Sequence, residues 1–242
     1  MMNGRVVLIT GSGKGIGRFV AGTFARQGAR LVVNDIAPLD NVTREVEAAG
    51  AEVLAIQADV REEVQVRAMI DRAVQRFGRI DVLVNNAAIV THFQWGIQPW
   101  PRIRDLDKSF WDRVIDTNLG GTFLCSKYVL PHMEAQGSGH IVSTMGGSSP
   151  GSIGASPYPI TKDAIRTFTR FLAEEEREFN ICVVMMRPGA QIATEEAPEE
   201  ARRRMPGPEV VGDRFVLAAT AGMELSGHLL DVQDGQLVIS ER

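Results

Sequence analysis

The stretch Val6-Val7-Leu8-Ile9-Thr10-Gly11-Ser12-Gly13-Lys14-Gly15-Ile16-Gly17 decides the reading of the whole chain. Val6 to Ile9 form a continuous apolar run, β-branched at three of its four positions and closed by glycines. That pattern predicts a short strand buried on both faces. Beyond Gly17, Phe19, Val20, Thr23, Phe24 and Gln27 recur at helical spacing. Strand, glycine turn and helix together make a place to hold phosphate. Glycines let the backbone approach the ligand, and N–H groups at the helix start attract negative charge. The spacing departs from the usual dinucleotide fingerprint, because the third glycine of that pattern would fall on Ile16. It is not a triphosphate loop either, since no Gly-Lys-Ser/Thr follows at the right offset.

Working outward, the chain of 242 residues suits one large α/β domain, expected to span 1–242. A chain of this size buries roughly 70–75% of its unfolded surface, so it needs no staples. The net charge is −4 with no long basic run, which argues against nucleic acid as a partner. The only cysteines, Cys125 and Cys182, stand in apolar surroundings and read as reduced core residues. Met1-Met2-Asn3-Gly4-Arg5 runs directly into the first strand with no secretory pattern, and no apolar stretch has the length of a membrane span. A cytoplasmic location is expected. No cluster of metal ligands is visible, so no metal is expected.

A second strand, Leu31-Val32-Val33-Asn34, ends at Asp35. A carboxylate there can accept hydrogen bonds from both adenosine ribose hydroxyls and would repel a 2′-phosphate, which favours NAD over NADP. Asp35 should touch the ribose directly. A short helix over 41–49 leads to a third strand, Val53–Ile56, closed by Asp59-Val60. A helix over 62–77 leads to a fourth, Ile80–Val84, closed by Asn85-Asn86-Ala87-Ala88. Repeated strand–helix units imply a parallel sheet with helices on both faces and a ligand at the carboxyl ends of its strands.

The second half carries the chemistry. A helix is predicted from about Ser109 to His132, with Asn118 inside it. Gly139 to Thr144 read as the fifth strand. Tyr158 and Lys162 lie at i and i+4, on one face of a helix. A free tyrosine has a pKa of about 10, too high for a base near neutrality, and a neighbouring ammonium lowers it. Pro157 and Pro159 flank the tyrosine, so the helix is expected to begin close to it. Ile181 to Met186 form a sixth strand, followed by Arg187-Pro188-Gly189. A helix over 208–219 precedes the last strand, 226–232.

In this order, Thr10-Gly-x-x-x-Gly15-Ile16-Gly17, Asp59-Val60, Asn85-Asn86-Ala87, Asn118 and Tyr158-x-x-x-Lys162 resemble the classical short-chain dehydrogenase/reductase family over nearly the whole chain. The resemblance implies an α/β Rossmann-like fold: a doubly wound parallel sheet of about seven strands between two helix layers. It implies cofactor contacts from Gly11, Ser12, Lys14, Gly15, Ile16 and Gly17. Lys14 resembles the basic residue before the second glycine in NADP-preferring relatives, a hint toward NADP that the direct ribose contact of Asp35 outweighs. Asp59 and Val60 would lie beside the adenine, and Asn85, Asn86 and Ala87 along the cleft. Pro188, Gly189 and Ile192 would pass the nicotinamide, with Thr194 standing for the family's threonine. Tyr158 would be the acid/base. Lys162 would tune it and bind ribose, and Asn118 would hold a water on the proton path. The family's helices at 109–132 and 158–178 and its last strand usually join subunits, so a homodimer or homotetramer is implied.

Two departures stand out. The family places a catalytic serine at the end of the fifth strand, and the alignment puts Gly146 there, or Met145 without a gap. Ser148 is the weak substitute; Ser149 also lies beyond, and Ser143 and Thr144 lie earlier. The link 89–108 is longer than in compact relatives and holds Trp95 and Trp100. With Met145 these suggest a pocket for an apolar, cyclic or aromatic substrate. Residues 190–208 would form a short substrate lid. The expectation is an enzyme that interconverts a secondary alcohol and a ketone with NAD(H). The alternative, resting on the missing serine, is a catalytically weak or inactive NAD(H)-binding sensor or partner subunit.

Overall fold

The computed structural model describes residues 2–90, 102–146, 156–189, 192, 194, 199–203 and 207–240. Trp95, Trp100, Ser148 and Ser149, all singled out above, lie outside the described residues, as does most of the proposed lid. Strand β1 (Val6–Thr10) is the third strand across an eight-stranded sheet. With β2 (Arg30–Asp35), β3 (Val53–Gln57), β4 (Val82–Asn85), β5 (Gly139–Thr144), β6 (Ile181–Met186), β7 (Leu229–Gln233) and β8 (Gln236–Ile239), the order is β3-β2-β1-β4-β5-β6-β7-β8. The first seven strands are parallel, and the winding reverses between β1 and β4.

The apolar run of β1 is buried on both sides, as its composition requires. Val7 and Ile9 pack with Val20 and Phe24 of α1 (Gly15–Arg26), Val46 of α2 (Asp40–Ala48) and Phe215 of α8 (Glu209–Ala218). Val6 and Leu8 point to the other layer, with Ile70 of α3 (Glu63–Phe77), Val129 of α5 (Gly121–Gln136) and Leu172 of α6 (Pro157–Glu175). Each fully buried aliphatic side chain of this kind stabilises the fold by about 1.5–3 kcal/mol. Cys125 and Cys182 are free and buried, one in each layer.

Two expectations change. The sheet has eight strands rather than about seven. β8 returns antiparallel on β7 through Asp234-Gly235, both with positive φ (49° and 76°). An Asp-Gly pair between two apolar runs is the ordinary signature of such a hairpin. The helix expected over 109–132 is two helices, α4 (Lys108–Ile115) and α5, joined by a π-helical stretch over Asp116–Gly120 that carries Asn118. It runs on to Gln136, where Gly137 in the left-handed region ends it. A short helix α7 (Glu199–Arg202) lies within the segment proposed as the lid.

Candidate active site

The site opens at the carboxyl ends of the strands, where β1 and β4 part. The glycine turn is held from below by β4. Thr10 Oγ1 accepts from the N–H groups of Asn86 and Ala87, both at 3.1 Å. Asn86 Nδ2 donates to the carbonyls of Thr10 (3.0 Å) and Gly11 (2.9 Å). Gly17 is packed so closely that a β-carbon on it would overlap the Gly11 carbonyl and stand 2.5 Å from Asn86 Nδ2. Gly15 differs: its φ is +57° and nothing lies within 4 Å of where a side chain would start. That open, left-handed position at the start of α1 faces the cleft, and the Lys14 side chain at the N-cap makes no capping hydrogen bond. Such a helix start suits an anion.

The cleft has a volume of about 690 Å³. Gly11, Lys14, Gly15 and Ile16 form its floor, and Asp35, Asp59 and Val60 one end. The Asp35 carboxylate is only 7% exposed and is fixed by two backbone donors, Gly13 N–H (2.9 Å) and Ala37 N–H (3.0 Å). Asp59 is ion-paired to Arg61, whose Nε lies 3.0 Å away, and this pairing holds its carboxyl below the ordinary value. Asn86 and Ala87 line the middle. Met145, Tyr158, Lys162, Pro188, Gly189 and Ile192 close the other end, with Thr194 beside them.

Three expected cofactor contacts lie elsewhere. Ser12 is fully buried, and its hydroxyl exchanges hydrogen bonds with Asn34 O (3.2 Å) and N (3.0 Å). Gly17 is packed beneath the turn. Asn85 turns away from the cleft to donate to Ser126 of α5 at 3.2 Å. These three shape the cradle rather than line it, because their side of the turn faces the sheet. Asn118 is also walled in: its amide bridges to the Ile89 backbone in both directions (2.8 and 3.2 Å) and donates to Thr161 Oγ1 at 3.0 Å. The Asn118 carbonyl accepts from Thr122 Oγ1 at 2.7 Å.

Tyr158 lies in the first turn of α6, which begins at Pro157, so the two prolines sit where a helix tolerates them. Lys162 Nζ lies 5.5 Å from the centre of the Tyr158 ring and donates to the Thr144 carbonyl at 2.7 Å. The two residues are 5% and 3% exposed. Burial raises the Tyr158 phenol above its ordinary value and pushes the Lys162 ammonium down to about 8. Sequence reasoning missed Thr161. Its hydroxyl donates to the Tyr158 carbonyl at 2.7 Å and accepts from Asn118, tying the π-helical stretch to the first turn of α6. Its position between Tyr158 and Lys162 was the available signal.

A doubly wound α/β fold, with a glycine-floored cleft at its switch point and a buried Tyr/Lys pair at one end, defines a class of nucleotide-dependent proteins. The sequence narrows the class. Residues 5–204 match the short chain dehydrogenase family, and the chain belongs to it. It is therefore an oxidoreductase acting on CH–OH groups, of a family that uses nicotinamide cofactors. The cis-4-hydroxycyclohexanecarboxylate dehydrogenase of Sinomonas cyclohexanicum is 34% identical over 251 residues, covering 97% of each chain. A levodione reductase structure superposes with a TM-score of 0.85 at 29% identity, over 97% of this chain and 98% of that one. An NADH-dependent reductase solved with NAD has a TM-score of 0.80 at 25% identity, over 98% of both. Among the described residues no helix is long and apolar enough to cross a membrane.

Proposed function

We propose that this chain interconverts a ring-bearing secondary alcohol and its ketone, with NAD(H) preferred over NADP(H) and Tyr158 as the acid/base. The observation that carries the reading is the Tyr158–Lys162 pair, buried one helical turn apart on α6 at one end of the cleft, with Asp35 at the other. When bound, the nicotinamide supplies the hydride acceptor or donor. The rest falls to residues of this chain. The floor at Gly11, Lys14, Gly15 and Ile16 takes the pyrophosphate. Asp35, already held rigid by Gly13 and Ala37, accepts from the adenosine ribose hydroxyls and repels a 2′-phosphate. Asp59 and Val60 flank the adenine, and Asn86 and Ala87 run along the middle. Pro188, Gly189 and Ile192 back the nicotinamide.

Lys162 holds the second ribose and keeps a positive charge beside the phenol, opposing the rise that burial imposes. In oxidation Tyr158 acts as the phenolate, and the substrate O–H proton passes to its oxygen as the C–H bond breaks. In reduction the phenol returns that proton to the carbonyl oxygen. Asn118 acts through Thr161, orienting the first turn of α6, and leads the proton path outward. Met145, buried against Ile165, Met185 and Leu229, gives the substrate an apolar wall. The ring in the name of the Sinomonas relative supports a cyclic substrate, and the NAD-bound neighbour supports the cofactor. The whole chain acts as one cytoplasmic dinucleotide-binding domain. Exposed Phe123 on α5 and Phe171 on α6 suit pairing of copies into a dimer or tetramer.

The test is a titration with NADH and NADPH followed by a panel of cyclic secondary alcohols. Tighter NADH binding is expected, and Asp35→Ala should erase roughly tenfold or more of that preference, about 1.4 kcal/mol. Tighter NADPH binding by the unaltered protein would overturn the cofactor assignment. The non-catalytic binding protein has one observation in its favour, Gly146 in place of serine; tight binding without turnover across the panel would favour it.

A further inference from the structure

Gly146 follows β5, at one of the two positions, with Met145, where the resemblance expects serine. Its backbone does not demand glycine, because its φ lies outside the left-handed region. What excludes a side chain there is Tyr158. A β-carbon on Gly146 would overlap the phenol oxygen and stand 2.7 Å from Cζ and 3.1 Å from Cε1. The three atoms nearest that position all belong to this one ring. The ring is itself confined: it is 5% exposed, rooted in the first turn of α6 between two prolines, with the Lys162 ammonium tied to Thr144 above it. The phenol thus fills the space in which a serine side chain would begin.

We propose that Gly146 is a positioning residue that seats the Tyr158 phenol, so that the second hydroxyl of the family pattern has no room at position 146. The proposal rests on the reading of Tyr158 as acid/base. The proton balance closes without serine. The proton leaving the substrate oxygen goes to Tyr158 Oη, and in reduction it comes back from there. A serine would only donate a hydrogen bond and would neither gain nor lose a proton. Gly146 is then not a vacated position, and restoring the family's serine harms the site.

The experiment compares Gly146→Ala and Gly146→Ser with the unaltered chain in three readouts. Both variants are expected to lower kcat by about tenfold or more, while the KM for NADH stays within roughly threefold. An ultraviolet difference titration should show one phenol ionising at lower pH, because the displaced ring meets solvent. The chain has only two tyrosines, Tyr128 and Tyr158, so Tyr158→Phe assigns the signal. In melting experiments Gly146→Ala should destabilise the unaltered chain but leave Tyr158→Ala unchanged, a comparison that holds even if the single variants are too unstable for kinetics. A gain in kcat on Gly146→Ser would overturn the proposal. So would an unchanged tyrosine titration, or equal destabilisation in the two backgrounds. If Tyr158→Phe retains turnover, the acid/base assignment fails instead, and the melting comparison still reports whether the ring and position 146 compete for space.

Discussion

The two ends of the sheet are built from the same strands and treat polar groups in opposite ways. At the amino ends, polar groups satisfy one another. Asp81 accepts from Val6 N–H at 2.8 Å and from Arg79 Nε at 2.8 Å. Arg5 reaches the Ala219 carbonyl at 3.0 Å and His140 Nδ1 at 3.1 Å, and His140 Nε2 meets the Ala221 carbonyl at 3.1 Å. Gln136 brackets the Ile80 peptide from both sides (3.2 and 3.0 Å). At the carboxyl ends the chain instead holds open a cleft of about 690 Å³, with an ammonium buried at one end and a fixed carboxylate at the other. On the proposed reading, the contrast teaches that one end is organised for stability and the other for binding. Buried polar groups matched within the fold stabilise it, whereas those kept for a ligand cost stability until it arrives.

The largest test of this contrast is Tyr158→Phe, which removes one hydroxyl at the open end. Turnover should fall by about 10²–10⁴ while the melting temperature and NADH affinity hardly change. Retained turnover would move the chemistry elsewhere.

Next comes Lys162→Met, which should abolish turnover yet stabilise the fold at neutral pH. Burial has lowered the folded-state value from 10.5 to about 8. Below pH 8 the fold therefore carries the whole cost of a buried ammonium. Between 8 and 10.5 the folded chain gives up that proton more readily than the unfolded one, so the cost fades as pH rises. The shift corresponds to a cost on the order of 3 kcal/mol, offset by about 1 kcal/mol for the lost bond to Thr144. Denaturant titrations at neutral and alkaline pH should show the variant's advantage shrinking toward pH 10.5. A variant less stable than the unaltered chain at pH 7 would contradict the assignment of cost to the open end.

The amino end should respond in the reverse sense. Asp81→Ala strands the Val6 N–H and should cost about 1–3 kcal/mol, with turnover per folded molecule unchanged. A loss of turnover at full stability would mean that the two ends are coupled. The smallest effect belongs to His140, whose value burial lowers below 6.5, with Arg5 adding to it and Ala221 and Asp81 opposing. Its contribution is complete above the unfolded value and is lost as pH falls toward the folded one. The unaltered chain should therefore lose more stability than His140→Gln between neutral and mildly acidic pH.

Much of the open end was legible in sequence because its signals are local. The glycine turn, Asp35 at a strand end, Asn86-Ala87 and the Tyr158–Lys162 spacing each depend on a few adjacent residues with one backbone geometry. What stayed hidden depends on contacts between distant segments. The inward turn of Asn85 is set by Ser126, 41 positions on. Asn118 is walled in by Ile89 and Thr161 across a π-helical break that no periodicity announced. The closed end went unread for the same reason, since Arg5, Asp81, His140 and Ala219 meet only after the strands align.

By itself the sequence determined the parallel sheet, the nucleotide-type turn and the pair of residues that carry the proposed chemistry. Apolar runs, glycines and helical spacing constrain the backbone wherever they occur. Only the tertiary structure decided the meaning of Gly146. Read along the chain, it is a serine that is missing; in the fold, the Tyr158 oxygen occupies the space its side chain would need. Excluded volume between residues twelve positions apart, on a strand end and a helix start, is a property of how the elements pack, and no local pattern encodes it.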